Sequence, residues 1–169
     1  FNIQNLFFLR FTHKAGSDKF HLKKELHLSH HHSPHANETN EHYCRRWVSL
    51  EVLKSISRGK KKHEFDLQIS NYEDEGTKYL VISSATRDPF KEHHYRSISV
   101  GLLINRQLQR KLNFLGDLKI ANKNVGVTCE RCFIKDCKVR QAPAIILDKV
   151  AKNKKIELIV EELNAKFHS

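Results

Sequence analysis

Gly126-Val-Thr-Cys-Glu-Arg-Cys-Phe-Ile-Lys-Asp-Cys-Lys-Val-Arg140 sets Cys129, Cys132 and Cys137 in a C-x2-C-x4-C array. The fourth cysteine, Cys44, lies far upstream in His42-Tyr-Cys-Arg-Arg-Trp47. Two ligands two residues apart sit on a tight knuckle that aims both sulfurs at one ion, and Cys137 follows on the next turn. Cys44 then completes a tetrahedron from elsewhere in the fold, which is the arrangement of a four-thiolate metal site. The alternatives are four unrelated small core residues, or a disulfide pair in a secreted protein. The metal reading predicts a chain that folds back on itself, bringing residue 44 to a knuckle more than eighty residues away.

Length and composition bound what surrounds that knuckle. A chain of 169 residues fits one domain and can bury a core. It contains no methionine and starts inside an apolar run, so it reads as a piece of a longer protein. Phe1 to Phe11 is too short and too polar for a signal peptide, and no run approaches the roughly 18 apolar residues of a membrane helix. Four cysteines in this length do not make a disulfide scaffold, which points to a reducing cytoplasm. The net charge of +11 suits phosphate-bearing partners, nucleic acid or a nucleotide-like ligand, and also serves solubility alone.

Outward from the knuckle, the chain divides into a β-rich body and a helical end. Ile3 to Thr12 reads as a strand, turned back at Lys14-Ala-Gly-Ser-Asp18 into a second strand over Phe20 to His31. Ser29 to His42 carries five histidines among Ser, Pro, Asn and Glu and reads as a loop. From Cys44, the residues Trp47, Leu50, Val52, Leu53 and Ile56 predict an amphipathic helix that packs Trp47 beside the lone cysteine. Arg58 to His63 is a basic turn. His63 to Ser70 alternates, Asn71 to Gly76 turns, Lys78 to Thr86 returns, and Tyr95 to Asn105 adds a further antiparallel strand. Arg106 to Phe114 predicts a short helix. After Pro143, the apolar Ile145, Ile146, Leu147 and Val150 precede a helix from about Lys154 to Phe167, with Ile156, Ile159, Val160 and Leu163 on one side. The organisation predicted is residues 1–120 as a sensor-like core and 121–169 as cysteine knuckle and terminal helix, within one domain and with Cys44 supplied by the core.

With those residues in view, the chain resembles the C-terminal sensory region of the short-chain fatty-acyl transcriptional regulators. These are cytoplasmic bacterial regulators with an N-terminal helix-turn-helix of the phage-repressor type. The resemblance runs through Phe7-Phe-Leu-Arg-Phe-Thr-His-Lys-Ala-Gly16, the helix start Cys44-Arg-Arg-Trp47, the hairpin Glu75-Gly-Thr-Lys-Tyr-Leu80 and the strand Tyr95 to Leu102. It closes on Gly126, Cys129, Cys132, Asp136, Cys137, Arg140 and Pro143. It implies an α+β, GAF- or PAS-like antiparallel sheet backed by helices, carrying a four-cysteine metal appendage. It also implies sensing of short-chain acyl-coenzyme A, zinc or an iron–sulfur cluster at the cysteines, and DNA contact through a helix-turn-helix. The chain departs from the family pattern at Ile82-Ser-Ser-Ala-Thr86, where an arginine is replaced, and at Leu103-Ile-Asn105, where a glycine, cysteine and aspartate are absent.

Chemistry read from the residues alone agrees in outline. Four thiolates close a tetrahedral zinc site and leave no open position for water; the same set would hold a cubane cluster, and spacing does not separate the two. Arg131, Lys135, Lys138 and Arg140 surround the thiols and would lower their pKa values; Arg140 would also bond backbone carbonyls. There is no Ser-His-Asp order, phosphate loop or HExxH helix, so an enzyme is not expected. A ligand pocket is expected between the strands Lys78–Thr86 and Tyr95–Asn105 and the helix at Arg106, with Arg87, Arg96, Arg106, Arg110 and Lys111 as a basic rim. The competing classes are a nucleic-acid-binding zinc module and a structural or homodimerising domain. A steep salt slope of DNA binding would mark the former.

Overall fold

The computed structural model describes residues 6–28, 41–59 and 61–167. The first strand, β1 (Leu6–Lys14), alternates Phe7, Leu9, Phe11 and His13 inward with Leu6, Phe8, Arg10 and Thr12 outward. It pairs antiparallel with β2 (Phe20–His27) across a bulge at Arg10/Phe11. The helix α1 (Val48–Arg58) follows, then β3 (His63–Tyr72), β4 (Thr77–Arg87) and β5 (His94–Leu103). Next come the short α2 (Arg106–Lys111), a 3-10 turn at Asn113–Gly116, β6 (Ala121–Asn124) and the long α3 (Ile145–Phe167). The strands form one six-stranded sheet in the order β2-β1-β5-β4-β3-β6.

The sheet is mixed, which corrects the all-antiparallel expectation: β6 runs parallel to β3, from Gln68↔Ala121 to Asn71↔Asn124. Ala-Asn-Lys-Asn gives no period-2 signal, so nothing in the sequence of β6 marked a strand. The division expected at residue 120 also put these residues with the knuckle, whereas they complete the core sheet. Val125, fully buried, fixes the exit by donating its N–H to the carbonyl of Asn71 at 3.0 Å. The predicted second strand stops at His27, and the histidine-rich loop lies outside the described residues from 29 to 40.

One face of the sheet is covered by α1, which packs on β1, β3, β4 and β5. Val48, Leu50, Val52, Leu53 and Ile56 are all buried there, and each such side chain contributes about 1.5–3 kcal/mol by leaving water. The floor beneath the helix is built of small residues, Ser83, Ala85, Ser97, Ser99 and Gly101, so the helix seats closely. The buried hydroxyls of Ser83 and Ser99 satisfy each other at 2.8 Å.

α1 begins at Val48, not at Cys44. The Cys44 N–H is already committed to the Val127 carbonyl at 3.1 Å, which holds the chain extended, and a turn from Cys44 to Trp47 precedes the helix. At the other end, the helix expected at Arg106–Phe114 divides into α2 and the 3-10 turn, with Asn105 capping α2 through its side-chain oxygen to the Leu108 N–H at 2.9 Å. α3 starts nine residues before the expected Lys154, because no glycine or proline interrupts the run after Pro143.

Candidate functional site

Cys44 and the knuckle meet through a short piece of antiparallel backbone. Tyr43 and Thr128 form an isolated bridge, the Cys44 N–H donates to Val127 and the Cys129 N–H donates to the His42 carbonyl at 2.8 Å. Side chains on either flank reinforce it. Arg131 holds Glu41 through Nε and Nη2, the latter at 2.6 Å from Oε1, and the Thr128 hydroxyl donates to the same carboxylate at 2.8 Å. Glu130 accepts from the His42 N–H at 2.9 Å and lies 2.7 Å from its Nδ1. His42, grouped by composition with the histidine loop, is thus a fastening point. Glu41, Thr128 and Glu130 carried no sequence signal, because their partners lie 87 to 90 residues away.

From behind, two side chains hold the knuckle. The Trp47 indole donates to the Gly126 carbonyl at 3.0 Å from inside the core. Arg140 donates to the carbonyls of Cys129 at 2.7 Å, Cys132 at 3.2 Å and Ile134 at 2.5 Å, the backbone role expected of it. Glycine is required at 126: a Cβ there would come within 2.8 Å of the Cys132 sulfur.

Cys44, Cys129, Cys132 and Cys137 all line one small pocket, with Arg45, Thr128, Val139 and Arg140 completing its wall. Its volume is about 10 Å3, room for about one water-sized particle. Three of the thiols are buried, and all four cysteines are free of disulfides. Among the described residues, no group of three or more His, Cys, Asp or Glu side chains is arranged to hold a metal ion. The four cysteines nevertheless line the same pocket, beside Gly126.

At Cys44 and Cys132, burial outweighs the surrounding cations, contrary to expectation. Burial pushes the Cys44 thiol up to about 11, against backbone hydrogen bonds from Gly126 and Arg46 that pull the other way. Burial also raises Cys132, outweighing the backbone contact at Ile134 and the charge of Arg140. The cation at Arg131 is spent on Glu41 instead, which it holds below the usual carboxylate range.

The five basic residues expected at one rim fall into two groups. Thr86 pairs with Arg96 and Arg87 with Tyr95 at one end of β4 and β5, while Tyr79 pairs with Leu103 at the other end, just before Arg106, Arg110 and Lys111 of α2. Seven residues of strand, roughly 24 Å, separate Arg96 from Leu103. β4 and β5 are hydrogen-bonded along their whole length, so the space they offer is a face.

That outer face, opposite α1, has a graded composition. One row across the strands reads Leu26, Phe8, Val100, Ile82, Leu67, and the next reads Leu6, Leu102, Leu80, Ile69. Towards the other end, the rows become Lys24, Arg10, Ile98, Ser84, Phe65 and then His21, Thr12, Arg96, Thr86, His63. Phe65 is 61 % and Ile98 45 % exposed. Arg10, Lys14, Lys24, Lys78 and Arg96 all project from this face, and on β1 to β5 it bears no carboxylate. The Nε of Arg10 is shielded from solvent with no hydrogen-bond partner among the described residues. No helix among the described residues is long and apolar enough to cross a membrane.

No curated protein and no solved structure matches the chain significantly. The profile of the family described as short-chain fatty acyl coenzyme A regulator, C-terminal, matches residues 23–158, well over half of the chain and inclusive of all four cysteines. The chain belongs to that family, as a C-terminal region of a short-chain fatty acyl coenzyme A regulator.

Proposed function

We propose that the chain is the ligand-sensing domain of a cytoplasmic bacterial transcriptional regulator, that it is not an enzyme, and that its effector is an anionic amphiphile of acyl-coenzyme A type. The observation that carries this reading is the gradient on the outer sheet face. The apolar row Leu26, Phe8, Val100, Ile82, Leu67 would take an acyl chain, and the rows containing Lys24, Arg10 and Arg96 would take phosphate or carboxylate. A face without carboxylates repels no part of an anion, and the unpartnered Arg10 Nε offers a donor already removed from water. Cys44, Cys129, Cys132 and Cys137 would hold zinc, or alternatively an iron–sulfur cluster, as a closed site that joins the segment before α1 to the knuckle. DNA contact would fall to a helix-turn-helix of the kind the resemblance implies.

A thermal-shift series tests the ligand. Propionyl-coenzyme A is expected to raise Tm in proportion to the logarithm of its concentration, coenzyme A less so, and propionate alone least. Arg96→Glu should abolish the shift without lowering the ligand-free Tm, since Arg96 is half-buried and its one side-chain hydrogen bond among the described residues is a long one to the Thr86 hydroxyl at 3.3 Å. A Tm unmoved by all three ligands would overturn the reading.

A further inference from the structure

α3 (Ile145–Phe167) is the one long element against which no strand or other helix among the described residues packs extensively. Ile156, Ile159, Val160 and Leu163 recur at intervals of three and four and are 50, 48, 49 and 48 % exposed. Their spacing makes a single stripe, whereas Leu158 lies on the opposite side of the helix. A solitary helix is marginal in water, so a stripe of this kind is stable only when something covers it.

The charges along α3 say what. Ile145 to Lys155 carries Lys149, Lys152, Lys154 and Lys155 against the single Asp148. Ile156 to Phe167 carries Glu157, Glu161 and Glu162 against the single Lys166. Laid parallel, two such helices would oppose like halves; laid antiparallel, each lysine-rich half meets a glutamate-rich half, and the two helix dipoles also oppose. We propose that α3 pairs antiparallel with α3 of a second copy of this chain, forming a two-fold dimer.

The stripe sets the register. With Ile156 and Ile159 at the seam, Lys155 and Glu162 occupy the same flanking position one heptad apart. An antiparallel pair then sets Ile156 against the partner's Ile159, and Lys155 against the partner's Glu162, each contact occurring twice about the two-fold axis. Leu163 meets the aliphatic stem of the partner's Lys152, whose ammonium reaches past it to solvent. The polar Lys149, Lys152 and Asn153 interrupt the stripe on the N-terminal side, so the apolar overlap is short and the association concentration-dependent.

Sedimentation equilibrium of the chain tests this, with variants chosen on an exposed helix so that the sheet is untouched. The wild type should dimerise reversibly, and Ile159→Asp should leave monomers with an unchanged β signal in circular dichroism. Lys155→Glu alone and Glu162→Lys alone should each weaken the dimer by about tenfold, through two repulsive contacts of several tenths of a kcal/mol each plus two lost attractions. Lys155→Glu combined with Glu162→Lys should restore it, because the exchange rebuilds both cross-pairs. A monomeric wild type with α3 protected from protease would show that α3 docks within its own chain and would overturn the proposal. So would a dimer indifferent to Ile159→Asp, or a double variant weaker than either single one. None of these readouts depends on ligand binding, so the effector reading stands or falls separately.

Discussion

At the scale of single residues, the sheet depends on a side chain that is missing. Gly101 pairs with Phe7 across β5 and β1, and a Cβ at Gly101 would lie 2.1 Å from the Phe7 ring. Phe7 is buried and has no room to withdraw. Gly101→Ala is therefore expected to cost about 1–3 kcal/mol by overpacking, read as a lower urea midpoint with unchanged slope. A variant as stable as wild type would show that Phe7 has a second seat. His13 gives the molecule a pH response. It is 4 % exposed, stacked on Phe20 at 4.5 Å, with Nδ1 3.1 Å from the Lys19 carbonyl. Burial, with Lys54 and Arg45 adding repulsion, holds its pKa below the ordinary 6.5, against the Lys19 contact and Asp18. The unfolded chain thus binds the proton more tightly. Stability is full above about 6.5 and is lost as pH falls from there towards the lowered folded value. Denaturant titrations should show wild type losing stability relative to His13→Phe over that window, and parallel pH profiles would refute the assignment.

At the scale of elements, the knuckle has two kinds of support. Backbone bridging, Trp47 and Arg140 tie it to the core, yet its own apolar residues are few, and Val139 among them is 42 % exposed. Metal ligation, worth on the order of 10 kcal/mol in small zinc peptides, would supply the rest. Cys132→Ser is expected to release the metal found by elemental analysis of the wild type and to open 126–140 to protease. The far-UV β signal should persist, since β6 and Val125 end the sheet before the knuckle begins. Colourless protein with zinc would identify a structural ion and brown protein an iron–sulfur cluster, whereas a variant that stays protected with metal bound would remove Cys132 from the ligands. The three-residue spacing and the glycine at 126 made this element legible in the sequence. The Glu41–Arg131 and His42–Glu130 contacts were not legible, because charges so far apart in the chain carry no pattern until the backbone brings them together.

At the scale of the whole molecule, the alternation of β3, β4 and β5 and the 3.6-residue stripe of α1 showed in the sequence because each records a local period with one buried face. Their order and approximate bounds followed from that, and the motifs around the cysteines pointed to the family. The sequence did not show which edge β6 would take, since its alanine and three polar residues stand in the sheet only because β3 leaves an open edge beside them. Nor did it show that Arg87 and Arg96 stand a strand's length from Arg106, Arg110 and Lys111, because a run of charges has no direction until the register of β4 on β5 assigns each an end. The acid-free outer face belongs to the same class of fact. Each strand contributes only every second residue to it, so its uniform sign exists in no contiguous segment and is decided by four registers acting together. Local periods fix elements because neighbours along the chain share one backbone geometry; surfaces are assembled across strands, and only tertiary pairing sets what lies next to what.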